Sequence, residues 1–159
     1  MSKDVREGLP RLPAVGEAKR GLEGYLTYLL RQANASVRLA VDRALSKENM
    51  TYPQQSALTM IRAYEAISAA DLARLTMLTP QTINGIVHAL ERRGAIRKEP
   101  DRVNGRILRL IITDEGRALN KRCRALAAPI EAALKSKINA NVEFTVRQWL
   151  VDVAKAFLE

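Results

Sequence analysis

The sequence predicts a mostly helical fold with one small β-wing, and three observations lead there. Apolar residues recur at spacings of three and four over most of the 159 residues. Alanine and leucine are frequent while aromatic residues make up only 4%, a mix that favours helix. One stretch breaks the pattern: from Ala95 to Ile111, two alternating runs flank the turn-forming residues Pro100 to Gly105. An apolar content of 47% suits one globular domain with a sizeable core.

Residues 1–17 hold two prolines, two glycines and scattered charge, and are expected to form a flexible arm. Residues 18–159 are expected to form the single folded domain. From Ala18 to Ser46, Leu22, Tyr25, Leu26, Leu29, Ala33, Val37, Ala40, Val41 and Ala44 follow helical spacing. One helix of that length spans roughly 42 Å, more than a small domain needs to cover its core. The excess fits a second copy of the chain; an ordinary long core helix is the alternative.

Thr51, Pro53 and Gln54 mark the start of a second helix, which runs to about Tyr64 and buries Ala57, Leu58 and Ile61. Thr51 caps it, Pro53 is tolerated in the first turn, and Gln54 completes a capping box. Ser68 and Asp71 repeat that logic for a short third helix, with Ala69, Leu72, Ala73 and Leu75 as its apolar face, ending near Thr76. Thr79-Pro80 opens a fourth helix, whose buried stripe is Ile83, Ile86, Val87 and Leu90 and whose stop is Gly94. The two alternating runs then make a hairpin, with Asn104-Gly105 as its expected turn. Two capped helices joined by a tight turn and followed by a basic hairpin give the order of a winged helix-turn-helix, here placed at 51–112.

Thr113 caps a fifth helix carrying Leu119, Cys123, Leu126, Ile130, Leu134 and Ile138, with Pro129 expected to kink it. Val142 to Phe157 forms a last helix bearing Phe144, Val146, Trp149, Leu150, Val153 and Phe157. Terminal helices this apolar need a partner surface. Residues 18–48 and 113–159 are therefore expected to be the dimerisation helices of an obligate-type helical dimer.

Twenty-six Lys and Arg against seventeen Asp and Glu give a net charge of +9. That balance points to an anionic partner, nucleic acid or a membrane surface, with a plain solubility charge as the alternative. No apolar run approaches the ~18 residues of a membrane span. A single cysteine cannot form an internal disulfide, and the N-terminus lacks a signal peptide's apolar core; a cytoplasmic protein is expected. With one histidine, one cysteine and no phosphate-binding glycine motif, no catalytic residue, metal or cofactor is expected. Cys123 reads as a small buried hydrophobe; were it exposed, Arg122 and Arg124 would lower its pKa.

The chemistry that the residues do support is groove reading. Gln81 and Asn84 offer bidentate contacts to adenine, Thr82 a contact to base edge or phosphate. His88 lies about two turns into the same helix, and Gly85 removes bulk on that side. The wing offers Arg102, Asn104 and Arg106, with arginine suited to a narrow minor groove. Arg97 and Lys98 are expected to face phosphate or solvent, and the helix starts at Ser68 and Thr79 complete the expected DNA-contacting set. For each of these residues a merely solvated position is the alternative.

The motifs Pro53-Gln54-Gln55-Ser56-Ala57-Leu58, Asp71-Leu72-Ala73-Arg74-Leu75, Thr79-Pro80-Gln81-Thr82-Ile83, Leu90-Glu91-Arg92-Arg93-Gly94-Ala95-Ile96, Asp101-Arg102-Val103-Asn104-Gly105-Arg106 and Leu110-Ile111-Ile112-Thr113-Asp114-Glu115-Gly116 come in an order that resembles the MarR family of bacterial transcriptional regulators. The resemblance implies a triangular homodimer that represses from a pseudo-palindromic operator on double-stranded DNA and is released by a small aromatic ligand. It also implies that Arg106 is the wing arginine and that Asp101 braces it by a salt bridge. A ligand pocket near the junction of the first, second and fifth helices would draw on Tyr25, Tyr28, Leu29, Met60 and Tyr64, residues that serve equally well as packing. The chain departs from the family where Val103-Asn104-Gly105 precedes Arg106, where neither Asn84 nor Gly85 is basic, and where residues 1–50 lack a peroxide-sensing cysteine. Two other functions stay open: a winged-helix protein-interaction module, and nucleic-acid binding without sequence preference.

Overall fold

The computed structural model describes residues 11–157; most of the expected N-terminal arm lies outside the described residues. The chain divides into two compact units between Leu39 and Ala40. In the first, Glu17 accepts hydrogen bonds from the Ala14 N–H (2.8 Å) and the Arg11 guanidinium (3.1 Å), and a single 3-10 turn covers Ala18–Arg20. Helix α1 is Leu26–Leu45, eight residues shorter at its start than the apolar spacing predicts. The cause is a tight turn at 16–24: a Cβ on Gly21 would sit 2.4 Å from the Gly16 carbonyl oxygen, and one on Gly24 2.5 Å from that of Lys19. Leu22 is fully exposed there.

In the second unit, the remaining helices begin where their caps predict. Helix α2, Tyr52–Ala63, starts at Thr51 with the full capping box to Gln54. The Asp42 carboxylate also accepts from the Tyr52 N–H at 2.6 Å. A two-residue strand β1, Ile67–Ser68, follows, which the sequence pattern does not announce. Then come α3, Ala69–Thr76, and α4, Pro80–Arg92. Met77 ends α3 in the left-handed region at φ 54°, and Gly94 follows α4 at φ 68°, a conformation natural to glycine.

Strands β2, Ile96–Pro100, and β3, Leu108–Ile112, pair antiparallel with Ile96 opposite Ile112 and Pro100 opposite Leu108. β3 also pairs with β1, Ile67 opposite Leu110, so the sheet order is β1-β3-β2. The core under this sheet is Leu45, Leu58, Ile61, Leu72, Ile83, Leu90, Leu110 and Leu119, each nearly inaccessible. Burying one such side chain contributes ~1.5–3 kcal/mol. Leu75, expected on the apolar face of α3, is instead exposed.

Helix α5, Asp114–Lys135, is capped by Thr113 and continues through Pro129 as one element. Its first half supplies Leu119, Asn120 and Cys123 to the same core. Helix α6, Ala140–Ala156, is capped by Asn139 and buries none of its residues. Ion pairs among Glu131, Lys135, Glu143 and Arg147 join the end of α5 to the start of α6.

Candidate nucleic-acid interface

Helix α4 buries Ile83, Ile86, Val87 and Leu90 and leaves Gln81, Thr82, Asn84, Gly85 and His88 exposed. The stripe is a consequence of 3.6-residue periodicity: the apolar positions fall on one side and the polar ones on the other. Around Gly85 a Cβ would meet no atom within 4 Å. The chain's own packing therefore does not require glycine there. Its absence of side chain matters only to something that approaches from outside.

Ser68 and Thr79 serve first as caps. The Ser68 hydroxyl accepts from the Asp71 N–H at 3.1 Å and donates to the Asp71 carboxylate at 2.6 Å. That contact, with Arg74 second, holds the Asp71 carboxyl below its usual pKa. The Thr79 hydroxyl accepts from the Thr82 N–H at 3.2 Å and lies 2.8 Å from the Thr82 hydroxyl. These hydroxyls fix where α3 and α4 begin, so any contact they make to a phosphate is shared with the cap.

The basic residues of the wing and of the end of α4 sort into two kinds. Lys98 pairs with Glu91 at 2.7 Å, tying β2 to α4, and Arg97 pairs with Glu99 at 2.7 Å. Arg93 donates to the Asn49 carbonyl at 2.9 Å. Arg109 Nε donates to Asp101 Oδ2 at 2.6 Å, and its guanidinium reaches the Ala66 carbonyl at 3.3 Å. By contrast Arg102 and Arg106 are exposed and form no ion pair among the described residues. The family resemblance implies that Asp101 braces Arg106; it braces Arg109 instead. The register explains it: Pro100 opposite Leu108 places Asp101 and Arg109 at the base of the loop, while Arg106 stands further along it.

Asp101 organises that loop. Its Oδ1 accepts from the Val103 and Asn104 N–H groups at 2.9 and 2.8 Å. The Asn104 N–H, then Arg109, then the Val103 N–H bring its carboxyl down to about 2. The Asn104 side chain is likewise turned inward, accepting from the Arg106 N–H at 3.2 Å. Neither Asn104 nor Gly105 has a positive φ, so the expected two-residue hairpin turn does not form. An Asp101-centred loop over 101–107 replaces it, closed by the Asp101 N–H donating to the Ile107 carbonyl at 2.8 Å. The bracing role of Arg109 escapes sequence reading because it depends on this register.

The expected ligand residues are spread along the chain. In the first unit Tyr25 is 83% exposed, Tyr28 lies under the Arg31 guanidinium at 5.6 Å from the ring centre, and Leu29 is half-buried. In the second, the Tyr64 N–H donates to the Met60 carbonyl at the end of α2. Tyr64 lines an open hollow of about 350 Å³ with Ile67, Asp71, Arg74, Leu75 and Arg109. Met60 does not line it. Cys123 is fully buried, and burial, with Glu48 second, raises its thiol pKa. The residue is buried, as expected.

The sequence model of the MarR family matches residues 50–108, the stretch from just before α2 through the wing. The HTH-type transcriptional repressor Rv2887 of Mycobacterium tuberculosis is 35% identical over 115 residues, 72% of this chain and 83% of that protein. The chain belongs to the MarR family. Among solved structures, the MarR family protein Rv2887 in complex with salicylic acid matches 82% of this chain and 96% of its own, at 32% identity and a TM-score of 0.65. CouR from Rhodococcus jostii, bound to p-coumaroyl-CoA, matches 84% and 94% at 25% identity and a TM-score of 0.77. The MarR match ends at Leu108, one residue before the arginine that braces the wing. No described helix of this MarR protein is long and apolar enough to cross a membrane.

Proposed function

We propose that the chain is a homodimeric, sequence-specific DNA-binding transcriptional repressor. It presents α4 to a major groove and the tip of the wing to the adjacent minor groove. One observation carries the reading: a polar, open face of α4 beside a wing whose cations without an ion pair to a described residue are both at its tip. Cations already held by carboxylates position the wing. Arg102 and Arg106 are left for DNA. The 35% identity to a protein named as a transcriptional repressor supports the direction of regulation. The domain organisation proposed is a 51–112 reading lobe carried by helices at 18–48 and 113–159.

Dimerisation is supported by α6, where Phe144, Trp149, Leu150 and Val151 remain exposed. Leaving these in water forgoes ~25 cal/mol per Å² of apolar surface, and a two-fold partner is the simplest way to cover them. The structures of relatives with salicylic acid and p-coumaroyl-CoA support a small aromatic effector, with Tyr25, Tyr28, Leu29, Met60 and Tyr64 as its candidate contacts. A cytoplasmic location and the absence of enzymatic activity belong to the same proposal.

Competition tests it. A duplex selected by the protein from genomic fragments should outcompete random duplex by about 10³ or more at physiological salt. Equal competition would leave only non-specific binding. No DNA binding at all would favour a protein-interaction module.

A further inference from the structure

An open cleft of about 630 Å³ lies between α2 and α5, lined by Arg62, Arg117, Lys121, Arg124 and Ala125. Four of these five residues are cations. Arg117, Lys121 and Arg124 fall at i, i+4 and i+7, one face of α5, and Arg62 opposes them from α2. None of the four forms an ion pair with a described carboxylate. Several cations elsewhere, among them Arg74, Arg97, Lys98, Arg109, Arg122 and Arg147, each have an acidic partner within 4 Å; exposed cations without one, such as Arg102 and Arg106, do not line this cleft. Gathering four uncompensated positive charges into one concavity costs mutual repulsion that a bound anion would relieve.

Arg62 is also held in place. Its guanidinium donates to the Asn120 side-chain oxygen at 3.4 Å, and Asn120 is completely buried. The Asn120 amide donates in turn to the Thr59 hydroxyl at 2.9 Å, and that hydroxyl donates to the Gln55 carbonyl at 2.9 Å. A buried polar chain behind a surface arginine fixes its direction, which a freely solvated cation does not need.

We propose that this cleft binds the diphosphate group of a small anionic molecule. Three guanidiniums and an ammonium match several phosphate oxygens at once, whereas a single carboxylate would satisfy one arginine and leave three cations unmatched. The site is concave and its cations converge from two helices. Neither helix carries a groove-reading residue, so the arrangement fits a compact anion better than a duplex backbone. The site goes beyond the DNA-binding reading and stands without it.

Calorimetric titration of the full chain with inorganic pyrophosphate and with ADP tests this, with sodium sulfate and benzoate as comparison anions. Pyrophosphate should bind saturably, one per chain, about tenfold or more tighter than sulfate or benzoate. Arg62→Ala and Lys121→Ala should each weaken it by about tenfold, with unchanged circular dichroism. Lys47→Ala, which removes an exposed cation outside the cleft, should not. ADP binding as well would identify a nucleotide-like ligand; pyrophosphate alone would identify the free anion, and either supports the site. The proposal falls if pyrophosphate binds no better than sulfate, if ADP binds and pyrophosphate does not, or if Lys47→Ala weakens binding as much as the cleft variants. It falls too if pyrophosphate does not bind while the cleft variants lower affinity for random duplex, which would assign the cleft to the DNA surface.

Discussion

Asp101 Oδ2 and Arg109 Nε meet at 2.6 Å across the base of the wing. The same carboxylate caps the loop through the Val103 and Asn104 N–H groups, and the same guanidinium reaches the Ala66 carbonyl. One pair therefore couples the wing loop to the segment that leads into β1.

The pH dependence of this pair has a definite sign. The folded-state pKa of Asp101 is about 2, below the ordinary 3.8. Its contribution is complete above the ordinary value and is lost as pH falls from about 4 toward 2. An NMR titration of the Asp101 carboxyl carbon should give a midpoint near 2, moving up toward 3.8 in Arg109→Ala. A midpoint at the ordinary value in the unaltered protein would contradict the assignment.

Gly85→Ala separates folding from binding. Alanine in a helix interior is better than glycine by ~1 kcal/mol, and space for the Cβ is open. The variant should melt at a higher temperature and yet bind the selected DNA more weakly, because the methyl group stands on the face proposed to enter the groove. Unchanged DNA affinity would remove α4 from the interface.

Gln81→Ala and Asn84→Ala should relax discrimination at particular base pairs by about 1–3 kcal/mol for a bidentate contact. Arg106→Ala should instead weaken binding to all sequences and reduce the salt slope by about one. Affinities measured over a library of single-base operator variants distinguish the two patterns.

Trp149→Asp with Phe144→Asp should convert the proposed dimer to a monomer of 17.7 kDa by light scattering. Melting of the reading lobe should persist, since neither residue belongs to its core. A dimer that survives both changes would place the interface elsewhere.

Much of this was legible from local chemistry. Ser68, Thr79 and Thr113 cap helices through bonds that span three residues, so sequence spacing alone locates them. The apolar stripe of α4 is equally local. What the spacing missed depends on distant pairs. Arg109 rather than Arg106 faces Asp101 because strand register sets it, and β1 exists only because β3 offers it a ladder. Apolar period places the start of α1 too early because it says nothing of a turn so tight that Gly21 and Gly24 admit no Cβ. The cationic cleft joins Arg62 to residues on α5 more than fifty positions later; the basic i, i+4, i+7 pattern at Arg117, Lys121 and Arg124 was its one visible sign.

Selection of genomic fragments by the purified protein tests whether two copies of α4 read DNA together. An enriched motif with two-fold symmetry is expected, its half-sites about one helical turn apart, 10–10.5 bp centre to centre. Enrichment of no motif, or of a single unsymmetrical site bound by one chain, would contradict it.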